Sequence, residues 1–414
     1  MSAETLPFTG ELSWNGFRRL QAELLECVDR DGVRDIEIDF SGLTKVFPNG
    51  ALPLLILLDR FRAEGQADVR VVGAEQHGYL KRYDYLAYLD PTHLASARML
   101  PQAVHPFASD TELNSLINQK IDQVLGQAQF AAGVMTAFEW FLNEIAGNVL
   151  VHSQTNKGWL QVVVHKRTNH IAVAVADGGI GVPNSIRAAA SLAGRFAEGA
   201  SDGSLIEVAL LEGVTSKPDF GQGKGLTGTM AIVQANSGGR IAITSQRGRV
   251  FFSKSTGLKV DSHFPPFGGT LIDIQLDFSE PIEIEKALWG HSPVAFTELV
   301  YGKDSPVGVM RLLMKEQASS FGNRITAARI RVKIENLLSE ASGDTLEIDF
   351  SGVSTLASSF SDEVFGKLVV NLGVVAFSRR IRLVNLNSFC QGVIDDVVQA
   401  RMAQTYAAKN DPKQ

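Results

Sequence analysis

The sequence predicts an α/β protein in three parts, and three observations carry that reading. The heptapeptide IEIDFSG at 36–42 returns at 346–352 as LEIDFSG. Each copy leads into a helical stretch and then a second strand. Between the copies the order changes to two amphipathic helices followed by a run of strands.

Each element follows from its pattern. In IEIDFSG, Ile36, Ile38 and Phe40 fall on one face of an extended chain and Glu37, Asp39 and Ser41 on the other, with Gly42 as the expected end of the strand. ALPLLILLDRFRAEG carries apolar residues at helical spacing and stops at Gly65; DVRVVG at 68–73 reads as a strand. The second copy runs alike: LEIDFSG, the loop VSTLASSFS, the helical DEVFGKLVVNLG, and a strand RIRLVNL at 380–386. Helical stretches at 16–28 and 327–341 precede the two copies. In the middle, helices are expected over 107–125 and 134–153 and strands over 159–165 and 170–177. After a long Gly- and Ser-containing stretch come a helix over 225–236 and the strands GRIAITSQ, RVFFSK and TLIDIQL. Helices first and then a largely antiparallel sheet predict a two-layer α/β sandwich. The expected domains are 1–95, 96–285 and 300–414, with the second boundary inside 276–293.

The bulk numbers agree. A chain of 414 residues fits two or three domains, and 45% hydrophobic with 20% charged residues fits a globular protein with several cores. The net charge of -6 argues against a general nucleic-acid or membrane-surface role. Cys27 and Cys390 stand far apart without metal-ligand spacing, as buried thiols in a reducing compartment do. The N-terminus lacks a basic stretch followed by an apolar run, and the longest apolar stretch, 51–58, is too short to span a bilayer. The expected compartment is the cytoplasm.

Four short motifs follow one another in the middle part. In NEIAGNVLVH (143–152), Glu144, Asn148 and His152 stand four residues apart and share one helix face. A Glu so placed orients or deprotonates a nucleophile and an Asn oxygen ligates Mg2+, or the spacing simply turns a polar face to water. DGGIG (177–181) directly follows the strand HIAVAVA. It sets a carboxylate beside backbone that a flat ligand can approach, or it is a glycine-rich turn. GQGKGL (221–226) opens a helix: Gly221, Gly223 and Gly225 free backbone N–H groups to wrap a phosphate. Lys224 adds a cation there or is a solvated loop lysine. GGT (268–270), ending in Thr270, precedes LIDIQL.

In this order the motifs resemble the GHKL ATP-binding fold (gyrase, heat-shock chaperone, histidine kinase and MutL) over roughly residues 107–278. The resemblance implies a Bergerat-type sandwich with ATP and Mg2+ as ligands. It implies Asp177 accepting from the adenine amino group, Asn148 holding Mg2+ and Glu144 as the catalytic carboxylate. Gly179, Gly181, Gly221, Gly223, Lys224, Gly225 and Thr270 complete the cofactor-binding set. LLEGVTSKPDF stands where that family has a mobile lid, and Thr215, Ser216 and Lys217 reach phosphate from it or form an ordinary polar loop. An autophosphorylating histidine kinase is not expected, because His77, His93 and His105 lie in contexts unlike a phospho-acceptor helix. Nor does the C-terminal copy resemble the transducer domain of gyrase or MutL. Many relatives of this ATPase dimerise, which leaves a homodimer open.

The C-terminal part, about 318–405, resembles the STAS-like domains of unknown function found with such ATPases in bacteria. The matching residues are LEIDFSGV, SSFSDEVFGKL and VNLN. STAS antagonists of anti-sigma factors carry a phosphorylated serine where Ser358 and Ser359 stand here, though Ala357 occupies the place of their common Asp. Both serines are equally suited to cap the following helix. The N-terminal part, about 10–90, resembles a STAS fold more weakly, with KVFPNGALP and no serine at that junction. The resemblances imply a cytoplasmic switch that uses Mg-ATP to regulate protein partners through its flanking domains, with or without slow hydrolysis. The alternatives are a serine kinase of the anti-sigma type acting on a STAS-domain serine, and a scaffold with a degenerate site.

Overall fold

The two heptapeptides occupy the same place in two small parallel sheets. The computed structural model describes residues 3–89, 102–155, 157–192, 196–211, 225–288, 308–340 and 343–409. Near the N-terminus, β1 (Glu4–Leu12), β2 (Asp35–Val46) and β3 (Asp68–Val72) pair in parallel in the order 1-2-3. The crossovers are the helices Trp14–Leu25 and Pro48–Ala63. Right-handed crossovers that advance in one direction place both helices on one face of the sheet, and these two pack on each other.

Between the two copies in the sequence, the chain forms a seven-stranded sheet. Its strands are β4 (His105–Phe107), β5 (Gly158–His165), β6 (His170–Asp177), β7 (Arg240–Gln246), β8 (Gly248–Ser253), β9 (Gly257–Asp261) and β10 (Phe267–Asp277). The order is β4-β5-β6-β10-β7-β8-β9, and every pair is antiparallel. The C-terminal sheet repeats the first: β11 (Val309–Leu313), β12 (Thr345–Asp349) and β13 (Ile381–Val384), parallel in the order 11-12-13. The mixed α/β class read from the sequence is the class observed.

One device ends the shared stretch in both copies. Asp39 Oδ1 accepts from the Ser41 N–H at 2.8 Å, and Asp349 Oδ1 accepts from the Ser351 N–H at 2.8 Å. These are Asx turns, in which the carboxylate satisfies its own backbone two residues on. Asp39 pairs with Val72 and Asp349 with Val384 on the neighbouring strand. The next residue in each case, Gly73 or Asn385, is left-handed, at φ 72° and 56°. In the first copy β2 nevertheless runs on to Val46, so Gly42 does not end it; Gly42 pairs with Thr9 of a longer β1. In the second copy the helical run after the loop is interrupted by a π turn, Asp362–Gly366, and a further helix, Val374–Arg380, follows it.

The chain divides into two compact units. The first comprises 1–120, 140–277 and 285–291; the second comprises 121–139, 278–284 and 292–414. Within the first unit the seven-stranded sheet is covered on both faces. Trp159 and Val163 point one way from β5 and Leu160 and Val162 the other, and all four are buried. The first pair, with Ala174, Ala176 and Leu271, joins the core of the N-terminal module. Asn49 Nδ2 donates to Asp273 Oδ2 at 2.8 Å and the Tyr85 hydroxyl to Gln161 Oε1 at 2.6 Å, which fixes the register of this docking. On the other side the helix Gly225–Ala235 packs on β7 and β10. Among the described residues, no helix is long and apolar enough to cross a membrane.

Candidate functional site

Asp177 closes β6, where an apolar strand ends in a carboxylate that is only 3% exposed. Its Oδ1 accepts from the Gly179 N–H at 2.7 Å, and the Thr270 N–H donates to the same carboxylate. Burial pushes the pKa up from 3.8 to about 7, against these two donors, which favour the anion. Thr270 faces Asp177 because the two residues are register partners of β10 and β6. The GGT motif is therefore brought to the DGGIG turn by the sheet itself.

The turn is fastened from three sides. The Ile180 N–H donates to Ser153 O at 2.9 Å, Gln246 Nε2 donates to Ile180 O at 2.9 Å, and the Val182 N–H donates to Ser245 Oγ at 3.0 Å. Ser245 Oγ in turn donates to Gly269 O at 2.6 Å. Two glycines are required by this packing. A Cβ on Gly179 would stand 2.1 Å from Ser153 O, and Gly181 holds φ at 77°.

Ser153 connects the turn to the first motif, since it directly follows the helix Val134–His152. Asn148 lies five residues before Ser153, about 7–8 Å of helix rise away. Glu144 lies one further turn back. Both are half-buried, and burial raises the pKa of Glu144. The Glu144 carboxylate meets the start of the helix Gly225–Ala235: a Cβ on Gly225 would stand 2.4 Å from Glu144 Oε2. The Glu144 carboxylate thus lies beside the start of a second helix, and Asn148 stands one turn further along its own helix toward Ser153. Gly221, Gly223 and Lys224, with Thr215, Ser216 and Lys217, lie outside the described residues.

Several contributors carry no motif of their own. Ser245, Gln246 and Ser153 are the fasteners; the polar TSQ after the apolar IAI of β7 hints at the first two, and Ser153 has no such signal. The N-terminal module also reaches the turn. Ile56 Cγ2 is 3.2 Å from the place a Cβ on Gly178 would take, and Arg60 Nη1 is 2.5 Å from that of Gly268.

In the C-terminal part, Ser358 is exposed and Ser359 half-buried at the start of the helical run. The N-cap is Ala357 and no side chain caps this helix, so neither serine takes the capping role open to it in the sequence. The β12–helix–β13 arrangement around them is the one seen in the N-terminal copy. Residues 326–388 match the family model of a STAS-like domain of unknown function (DUF4325). The match lies outside 107–278, and it does not support the ATPase resemblance drawn there from sequence motifs. No curated protein matches the chain.

Proposed function

We propose that the protein is an ATP-binding switch whose nucleotide site controls the binding of protein partners through its STAS-like domains. The observation that carries this reading is the buried Asp177 carboxylate at a strand end, held by the Gly179 and Thr270 N–H groups beside backbone kept bare by glycine. A buried acceptor in that setting suits a flat ring bearing an amino group. Asn148 would hold Mg2+ through its side-chain oxygen, and the helix start at Gly225 would face phosphate. Mg-ATP would bring a transferable phosphoryl group to Glu144, whose raised pKa makes it the better base once ionised.

The reading keeps the domains at 1–95, 96–285 and 300–414, in the cytoplasm. STAS-like domains commonly mediate protein contacts, and the match at 326–388 supports a regulatory role with a protein partner. Titrating Mg-ATP into the full chain while following thermal unfolding tests the site. A nucleotide at 100 times its Kd stabilises by about 2.7 kcal/mol; an unchanged transition at millimolar ATP refutes the reading.

A second reading, a serine kinase of the anti-sigma type, is favoured by one observation: the Ser358 side chain is exposed and not spent on capping. Incubation with ATP labelled at the γ-phosphate separates the two. Label on Ser358, Ser359 or a STAS-domain partner supports the kinase; label only in free phosphate excludes it.

A further inference from the structure

Glu340 is the last residue of the helix Arg324–Glu340, inside the stretch matched as STAS-like. Its carboxylate is engaged at the beginning of a different helix. Oε1 accepts from the Met135 N–H at 2.9 Å, and Oε2 accepts from the Gly133 N–H at 3.2 Å and the Thr136 hydroxyl at 2.8 Å. Met135 lies in the open first turn of Val134–His152 and Gly133 directly precedes it, where negative charge also meets the positive end of the helix dipole.

One turn earlier on the same helix, the fully buried Asn336 holds the chain leading into that start. Its Oδ1 accepts from the Phe130 N–H at 2.8 Å, and its Nδ2 donates to Leu125 O at 2.7 Å and Ala128 O at 2.8 Å. From the other side, Ile282 O lies 2.0 Å from the place a Cβ on Gly133 would take. All these groups belong to the second compact unit. The helix they seat is continuous to Glu144 and Asn148, which lie roughly 12 and 18 Å beyond Thr136 by helix rise.

We propose that Glu340 is a positioning residue: through it the STAS-like domain seats the helix bearing Glu144 and Asn148 and thereby sets the nucleotide affinity. The inference rests on the nucleotide reading of the site.

The test uses the full chain with Mg-ATP as the probe. Three variants are compared by calorimetric titration and by hydrogen exchange: Glu340→Ala, Glu340→Gln and Arg401→Ala. The last breaks the Arg401–Asp362 pair elsewhere in the same domain. Glu340→Ala is expected to weaken ATP at least about fivefold, Glu340→Gln to fall between it and the wild type, and Arg401→Ala to stay within about twofold. Exchange should quicken in Glu340→Ala along the helix as far as 144–152. Wild-type ATP affinity in Glu340→Ala, faster exchange confined to 133–137, or equal weakening by Arg401→Ala would each overturn the proposal. If Glu340→Ala does not fold, Glu340→Gln carries the same comparison. If the wild type binds no ATP, the nucleotide reading has failed, and exchange over 144–152 alone decides whether Glu340 seats this helix.

Discussion

Replacing Asp177 by Asn removes a buried charge while nearly preserving the shape of the turn. In the folded chain burial holds this carboxyl at about 7, against 3.8 for an ordinary Asp. The folded state therefore keeps the proton over a range in which the unfolded chain has lost it. The stability linked to this group is complete below pH 3.8 and is lost as pH rises through 7. At about 1.4 kcal/mol per pH unit, the wild type loses roughly 2–3 kcal/mol between pH 5 and pH 8.5, and Asp177→Asn does not. Any hydrogen bond that Asn loses to the two N–H donors costs the same at every pH and cancels when only the change is read. Urea unfolding followed by tryptophan fluorescence suits the measurement, because Trp14 and Trp159 lie in the core of the first unit. The variant should gain on the wild type by that amount across the interval. A difference that stays flat with pH would refute the argument that Asp177 is held neutral by burial.

Three further outcomes follow from the same contacts. If the proposed nucleotide site is right, the ionised Asp177 is the stronger acceptor for the adenine amino group, so ATP affinity should fall as pH drops below about 7, by up to about tenfold per pH unit; a flat profile from pH 6 to pH 8.5 in calorimetric titration contradicts this. Asn49→Ala takes a donor from Asp273, whose pKa burial already raises, and should cost about 1–3 kcal/mol in urea unfolding. A smaller penalty in the Asp273→Asn background would confirm the pairing, and an equal one would deny it. Asn336→Ala leaves the Phe130 N–H and the Leu125 and Ala128 carbonyls without that partner, and should cost at least about 3 kcal/mol in the unfolding of the second unit. A loss below about 1 kcal/mol would show that water replaces the amide there.

The sequence carried the fold wherever one chain segment supplies its own signal. The helix Pro48–Ala63 and the strands β6 and β10 are periodic enough to be read directly. The repeated DFS marks the same Asx turn in both copies because an Asp two residues before a backbone N–H forms it locally. What was not legible depends on partners distant in sequence. β1 and β11 are edge strands, each paired on one side only, and their strand character comes from β2 and β12. β9 is exposed along its whole length, so it has no buried face to betray it. The helix Val374–Arg380 buries no residue and thus shows no apolar stripe. Around the DGGIG turn, Asp177 and its glycines were visible in the sequence as an apolar strand that ends in a carboxylate and bare backbone. Ser153, Ser245 and Gln246 were not, because their roles arise only when β7, β10 and the helix end meet around the turn. Nor does PNGA announce that Asn49 is directed at Asp273, 224 positions away.

A crystal structure of the full chain with Mg2+ and a non-hydrolysable ATP analogue would test the nucleotide reading most directly. The adenine amino group should lie within hydrogen-bonding distance of the Asp177 carboxylate, with Mg2+ on the Asn148 side-chain oxygen. A nucleotide bound elsewhere, or no nucleotide at saturating concentration, would contradict it.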